Sequence, residues 1–280
     1  MGMLQYDFMV RALISGLVIG IICPALGNFL VIRRYAFMAD AISHVCLAGV
    51  AIGLWLGAAS YTSFLVIVVA VLGAMAVDYL RTHSSLSPDA LLALVMSGGL
   101  ALAVIFFGLA KGGALDITSY LFGSLMTVNN SDLWLIIAVA IIVLLFLALL
   151  YKELYFICSD EQSARVAGLP VDRLNLVFIF LVALTVAVSL RVVGTLLVGA
   201  LMVIPVLASL IIGRSFQQVF YYSMGIGVIS ALLGLVGSYQ FGLATGGCIV
   251  LVALFFFALF YIVKWVQTLF KQHSVLKEFE

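Results

Sequence analysis

The sequence predicts an all-α, polytopic integral membrane bundle of about nine transmembrane helices, eight being the other count that the hydropathy allows. Three observations carry this: 66% of the 280 residues are hydrophobic, only 9% are charged, and the mean hydropathy is +1.32. An ordinary soluble domain is about 25% charged. This chain therefore lacks the polar surface to coat a water-soluble globule, which excludes a cytosolic enzyme, a secreted domain and a disordered chain. Its apolar residues also fall in runs of about 20, the length a helix needs to cross hydrocarbon.

Taken in order, the candidate spans are 10–32, 36–56, 61–80, 90–110, 133–151, 174–190, 193–213, 219–239 and 245–266. The first reads as a span rather than a cleavable signal, because Arg11 follows Asp7 and no small-residue cleavage pattern follows the run. The second carries Gly49, Gly53 and Gly57, a spacing of four that makes a small-residue packing stripe broadly opposite Asp40. The third ends in the polar loop Arg81-Thr82-His83-Ser84-Ser85, where His83 is expected to be solvated. Between the fourth and fifth lies 117–128, too short to cross and read as a re-entrant or interfacial segment; Asp116 and Asp132 flank it and either admit a cation or cap helices. Pro205 implies a kink in the seventh span, and His273 belongs to a solvated tail. Met96, Met126 and Met202 are expected to pack rather than to ligate.

The segment at about 158–172, between the fifth and sixth spans, is polar. Asp160 and Glu161 favour a helix start, Gly168 a stop, and Pro170 forbids continuation, so a helix of about two turns is expected there. Taken alone, such a helix is a connector on the membrane surface or a small docking element. With this loop in the cytoplasm, the inner side collects Arg33, Arg34, Arg81, Lys152, Arg165, Arg173, Arg214, Lys264, Lys271 and Lys277, and the outer side only Arg11, Lys111 and Arg191. That asymmetry predicts the amino terminus outside and the carboxyl terminus inside. No connection is long enough for a soluble domain, so residues 1–280 read as one transmembrane domain. A net charge of +1 argues against a nucleic-acid surface. Cys23, Cys46, Cys158 and Cys248, scattered without C-x-x-C spacing, are expected to pack as small apolar residues.

Asp40 and His44 stand apart from the other ionisable residues, which fall at span ends. They lie in the early turns of the second span, and a carboxylate there costs at least about 2.5 kcal/mol on insertion scales. A spacing of four places both on one helical face, where one cation can touch both. Carboxylate oxygen and neutral imidazole nitrogen suit zinc or manganese, whereas copper(I) would recruit thiolates or thioethers. Two ligands leave an incomplete shell, which suits a transport site better than a structural one. The bland alternative is that the two pair with each other, or cap the helix beside Arg33 and Arg34. The sequence has no G-x-x-x-x-G-K-[ST] phosphate loop, no H-E-x-x-H pair and no G-x-S-x-G elbow, so it predicts a transport subunit rather than an enzyme. A proton-coupled secondary transporter using the same two residues as a relay is the main rival, and a non-transporting scaffold a third reading.

Three places together carry a family resemblance. They are Ile32-Arg33-Arg34 with Met38-Ala39-Asp40-Ala41-Ile42-Ser43-His44 and Gly49-Val50-Ala51; Asp160-Glu161 with Ala164 and Gly168-Leu169-Pro170; and Val193-Gly194-Thr195-Leu196-Leu197 running to Ala200-Leu201-Met202 and Ile204-Pro205. In these the chain resembles the membrane subunit of ABC importers for zinc, manganese or ferrous iron, and looks closest to high-affinity zinc uptake membrane proteins. The resemblance implies two permease copies forming one pathway, separate cytoplasmic ATPase subunits, an extracellular metal-binding protein, and no permanently bound cofactor. It implies that Asp40 and His44 are pathway metal ligands, and that Asp160, Glu161, Ala164, Gly168, Leu169 and Pro170 belong to the ATPase coupling region. Ala39 departs from the pattern, since many relatives carry glycine there.

Overall fold

Backbone polar groups find no partner in hydrocarbon, so a spanning chain must close its hydrogen bonds within each segment. The computed structural model describes residues 6–57, 62–85, 87–110, 117–124 and 129–277. These form eleven helices: α1 (Asp7–Ile32), α2 (Met38–Trp55), α3 (Thr62–His83), α4 (Pro88–Leu109), α5 (Ile117–Phe122), α6 (Asn130–Ser159), α7 (Glu161–Val166), α8 (Val171–Val193), α9 (Val198–Ile212), α10 (Phe216–Phe241) and α11 (Thr245–Lys277). Eight of them are long and apolar enough to cross a membrane; α9, at 15 residues, is the short apolar helix.

The contacts fix how often the chain passes from end to end. Arg11 near the start of α1 donates to Asn130 at the start of α6 (3.1 Å), and Arg191 near the end of α8 pairs with Asp132 (2.5 Å). Those three termini share one face of the bundle. The α8–α9 connection is held there too, because Thr195 and Leu196 donate their N–H groups to the carbonyls of Tyr120 and Leu121 in α5 (2.9 and 3.2 Å). The far end of α9 lies at the other face, where Lys264 of α11 donates to the Ile211 carbonyl (3.0 Å) and α10 begins three residues beyond Gly213. The stretch from Gly194 therefore makes a full pass: 15 helical residues span about 22 Å, and four non-helical residues add roughly 13 Å at most. The passes number nine, with both short helices, α5 and α7, lying between passes at opposite faces.

Two sequence expectations change in form. The break in the seventh pass sits at Gly194–Leu197 rather than at Pro205, which lies buried inside α9. Of the glycine stripe, Gly49 and Gly53 do pack, against Val66 and Val69 and against Thr62 of α3, but Gly57 does not. It stands beyond the end of α2 at φ +66° with open space around it, so it terminates the helix. As expected, α5 is too short to cross, and it lies against the α8–α9 connection; residues 125–128, with Met126, lie outside the described residues, as do Lys111 and Asp116.

At the centre stands α1, which packs on α6, α8, α9 and α10. Small residues let the backbones approach: a Cβ on Gly20 would lie 2.9 Å from the Gly227 carbonyl oxygen of α10, and one on Gly27 would collide with the Met202 peptide of α9. Phe29 then fills the space around it, meeting Tyr151, Phe178, Phe216 and Phe220 edge-on at centroid distances of 5.5–6.2 Å. Met202 is fully buried and Met96 packs against the same core, as expected of packing methionines. The four cysteines are free thiols.

Candidate functional site

Asp40 is the third residue of α2 and His44 stands one turn further on, so helix geometry places them on one face. The peptide of His44 packs on Gly99, at the midpoint of the 22-residue helix α4; a Cβ there would approach Val45 N to 2.8 Å and the His44 carbonyl carbon to 2.9 Å. That contact sets the pair well inside the apolar thickness rather than at the interface. The Asp40 carboxylate rests on α9: a Cβ added to Gly199, the second residue of that helix, would collide with it. The first turn of α9 has unpaired N–H groups, and no side chain caps Leu197. A carboxylate beside that positive helix end is better tolerated than one in plain hydrocarbon.

Both residues are partly exposed, and neither is in an ion pair with the other or with Arg33 or Arg34. His44 Nδ1 is buried without a hydrogen-bond partner. The mutual pair and the arginine cap that compete with the functional reading are therefore not formed. Among the described residues no third histidine, cysteine or carboxylate joins them to make a cluster. Cys46, two residues on, is fully buried elsewhere in the core. The arrangement is two donors of oxygen and nitrogen type, open on one side.

At the opposite end of the functional reading lies α7. Asp160 caps it, accepting from the N–H groups of Gln162 (2.9 Å) and Ser163 (3.1 Å) and from the Ser163 hydroxyl (2.5 Å). The Ser163 hydroxyl bond, then the amides, holds the Asp160 carboxyl below the usual carboxylate range. Gly168, at φ +86°, closes the helix: its N–H reaches the Arg165 carbonyl and that of Leu169 reaches Ala164, both near 3.0 Å. Arg165 bridges Glu161 (3.0 Å) and Asp172 at the start of α8 (2.6 Å), which raises its already high pKa. Ala164, expected on the coupling surface, is instead fully buried against Ile157 and Val171, with Leu169 packed beside them. It anchors α7 to the bundle. The side chain that α7 does present is Val166, 90% exposed, a position that no sequence motif singles out.

At the other face Asp132 proves structural. It accepts from the Asn129 N–H (3.2 Å), pairs with Arg191 (2.5 Å) and receives the Ser63 hydroxyl (3.3 Å), tying α3, α6 and α8 together beside α5. His83 is exposed and stacks on Tyr79 at 4.4 Å, in keeping with a solvated histidine. The side chain of His273 lies outside the described residues. Sequence reasoning missed Gly99 and Gly199 as well as Val166. A glycine in the middle of an apolar helix is the available signal for close backbone approach, and Gly98-Gly99 carries it; what approaches cannot be read from one chain.

The sequence model described as "ABC 3 transport family" matches residues 5–264. A probable metal transport system membrane protein of Treponema pallidum is 35% identical over 90% of this chain and 93% of its own length. The manganese transport system membrane protein MntC of Listeria monocytogenes is 32% identical over 99% and 98%. Among solved structures, PsaBC from Streptococcus pneumoniae in complex with Fab superposes with a TM-score of 0.82 at 31% identity, covering 93% of each chain.

Proposed function

The chain belongs to the ABC 3 transport family, and from that premise we propose that it is the permease subunit of an ATP-driven importer of a divalent transition metal in the cytoplasmic membrane. The carrying observation is the open pair: a carboxylate and an imidazole on successive turns of α2, the His44 backbone against the middle of α4, neither in an ion pair with a described residue. Such a pair holds a divalent ion briefly, because carboxylate and neutral imidazole satisfy manganese or zinc only in part. The remaining ligands come from water or from a second copy of the chain. Separate ATPase subunits engage α7 and an extracellular metal-binding protein delivers the ion at the face where α1 begins. Manganese takes precedence over zinc as cargo, since relatives over 30% identical across nearly the whole chain are named for manganese.

ATP binding and hydrolysis on the partner would move α7 as a rigid body, because Arg165 and Ala164 bind it to α8 and α6. That motion passes to the helices lining the pair and opens the pathway to alternate sides. Uptake of manganese and zinc by cells carrying Asp40→Ala or His44→Ala tests the reading. The expected result is loss of at least about tenfold in rate at low external metal, since a first-contact ligand contributes on the order of 1.4 kcal/mol or more. Accumulation at the parental rate by both variants removes the pair from the pathway. Metal accumulation by the lone chain in liposomes along a pH gradient would instead support the secondary-transporter reading.

A further inference from the structure

A large groove lies where α6 breaks, away from the Asp40 and His44 pair. Leu150 has non-helical angles (φ −113°, ψ 20°), and beside it opens a cavity of about 700 Å³ between α6 and the start of α10. Leu144, Ala148 and Tyr221 supply apolar wall, and Lys152, Glu153 and Tyr151 gather at one end. Both helices pack on α1, whereas α2 packs on α3, α4, α8 and α9, so the groove faces away from Asp40 and His44. It opens at the surface of the bundle, close to the end that carries α7.

Its polar end is chemically incomplete. Glu153 Oε2 and Tyr151 Oη are buried without hydrogen-bond partners, and Lys152 and Glu153 form no ion pair with each other or with any described residue. The groove thus offers an acceptor carboxylate, a cationic ammonium and a hydroxyl donor above an apolar trough. The complementary molecule carries a donor ammonium, a phosphate and an acyl chain.

We propose that this groove binds a phospholipid with a primary ammonium headgroup, phosphatidylethanolamine, its ammonium donating to Glu153 and its phosphate accepting from Lys152 and Tyr151. The acyl chain lies along Leu144 and Ala148, and the break at Leu150 opens the helix face that receives it. The proposal is independent of the transported metal.

Native mass spectrometry of the full-length chain in detergent, titrated with phosphatidylethanolamine, phosphatidylcholine or phosphatidylglycerol of identical acyl chains, tests it. Phosphatidylethanolamine is expected to bind about tenfold tighter than phosphatidylcholine, whose methylated nitrogen has no N–H to give Glu153. Glu153→Gln should erase that difference, and Ala148→Trp should weaken all three lipids by filling the trough. Equal binding of the ethanolamine and choline lipids by the unmodified chain would overturn the proposal without any variant. So would tighter binding of phosphatidylglycerol, a preference that survives Glu153→Gln, or a loss of dimer rather than of lipid on Ala148→Trp.

Discussion

A single missing side chain decides whether Asp40 is usable. Because Gly199 lies directly under the carboxylate, a methyl group there must push Asp40 off α9 or push α9 off α2. Overpacking of this kind costs about 1–3 kcal/mol, and it also moves the acid away from the positive end of α9. Gly199→Ala should therefore reduce metal uptake by at least about tenfold while the protein still inserts. Gly225→Ala on α10, where a Cβ meets open space, should transport at the parental rate. Uptake rates normalised to membrane abundance for the two variants check this; equal rates would mean that α9 does not position Asp40. The acid and the imidazole were legible in the sequence because intramembrane charge is rare and a spacing of four is helical arithmetic. Gly199 was not, because its partner lies 159 positions away and only the fold brings them together.

Among the elements, α7 shows how a six-residue helix is kept rigid. Asp160 and Gly168 close its two ends, Ala164 plugs it into the bundle, and Arg165 ties it to α8. Its boundaries were readable from Asp160, Gly168 and Pro170, because cap chemistry is local. Its orientation was not, since six residues cannot show an apolar periodicity, and so neither the burial of Ala164 nor the exposure of Val166 was readable. Two substitutions separate rigidity from contact. Gly168→Ala forces an L side chain into left-handed backbone at about 1–2 kcal/mol and should loosen α7. Val166→Asp should leave α7 folded yet abolish the stimulation of ATPase activity by metal loading in the assembled transporter. Amide exchange of Gln162 and Ser163 distinguishes them: faster in the first variant, unchanged in the second. Asp160 adds a pH statement. A folded-state pKa lowered by the Ser163 hydroxyl gives stability that is complete above the ordinary carboxylate pKa of about 4 and is lost only as pH falls through the lowered value. The cap is thus constant from about pH 5 to 8, and any pH dependence of uptake in that range must arise away from α7.

For the molecule as a whole, an odd number of passes places the two termini on opposite faces, and the number is odd only because the broken stretch Gly194–Ile212 goes all the way through. Hydropathy recognises the apolar run but does not see that it is built from an extended strip and a short helix. The strip is stable at depth because α5 supplies carbonyl partners for Thr195 and Leu196, which removes the cost of open backbone in lipid. Charge predicts the orientation: the face carrying α7 also collects Arg33, Arg34, Lys152, Arg165, Arg173, Arg214 and Lys264, and the positive-inside preference is expected to hold that face in the cytoplasm. In a background with the native cysteines replaced by alanine, a membrane-impermeant thiol reagent should label Asp7→Cys in intact cells and Gln162→Cys only after lysis. Labelling of both in intact cells would make the pass count even between those positions. Labelling of Gln162→Cys alone would invert the molecule and place α7, with its exposed Val166, where no ATP-hydrolysing partner can reach it.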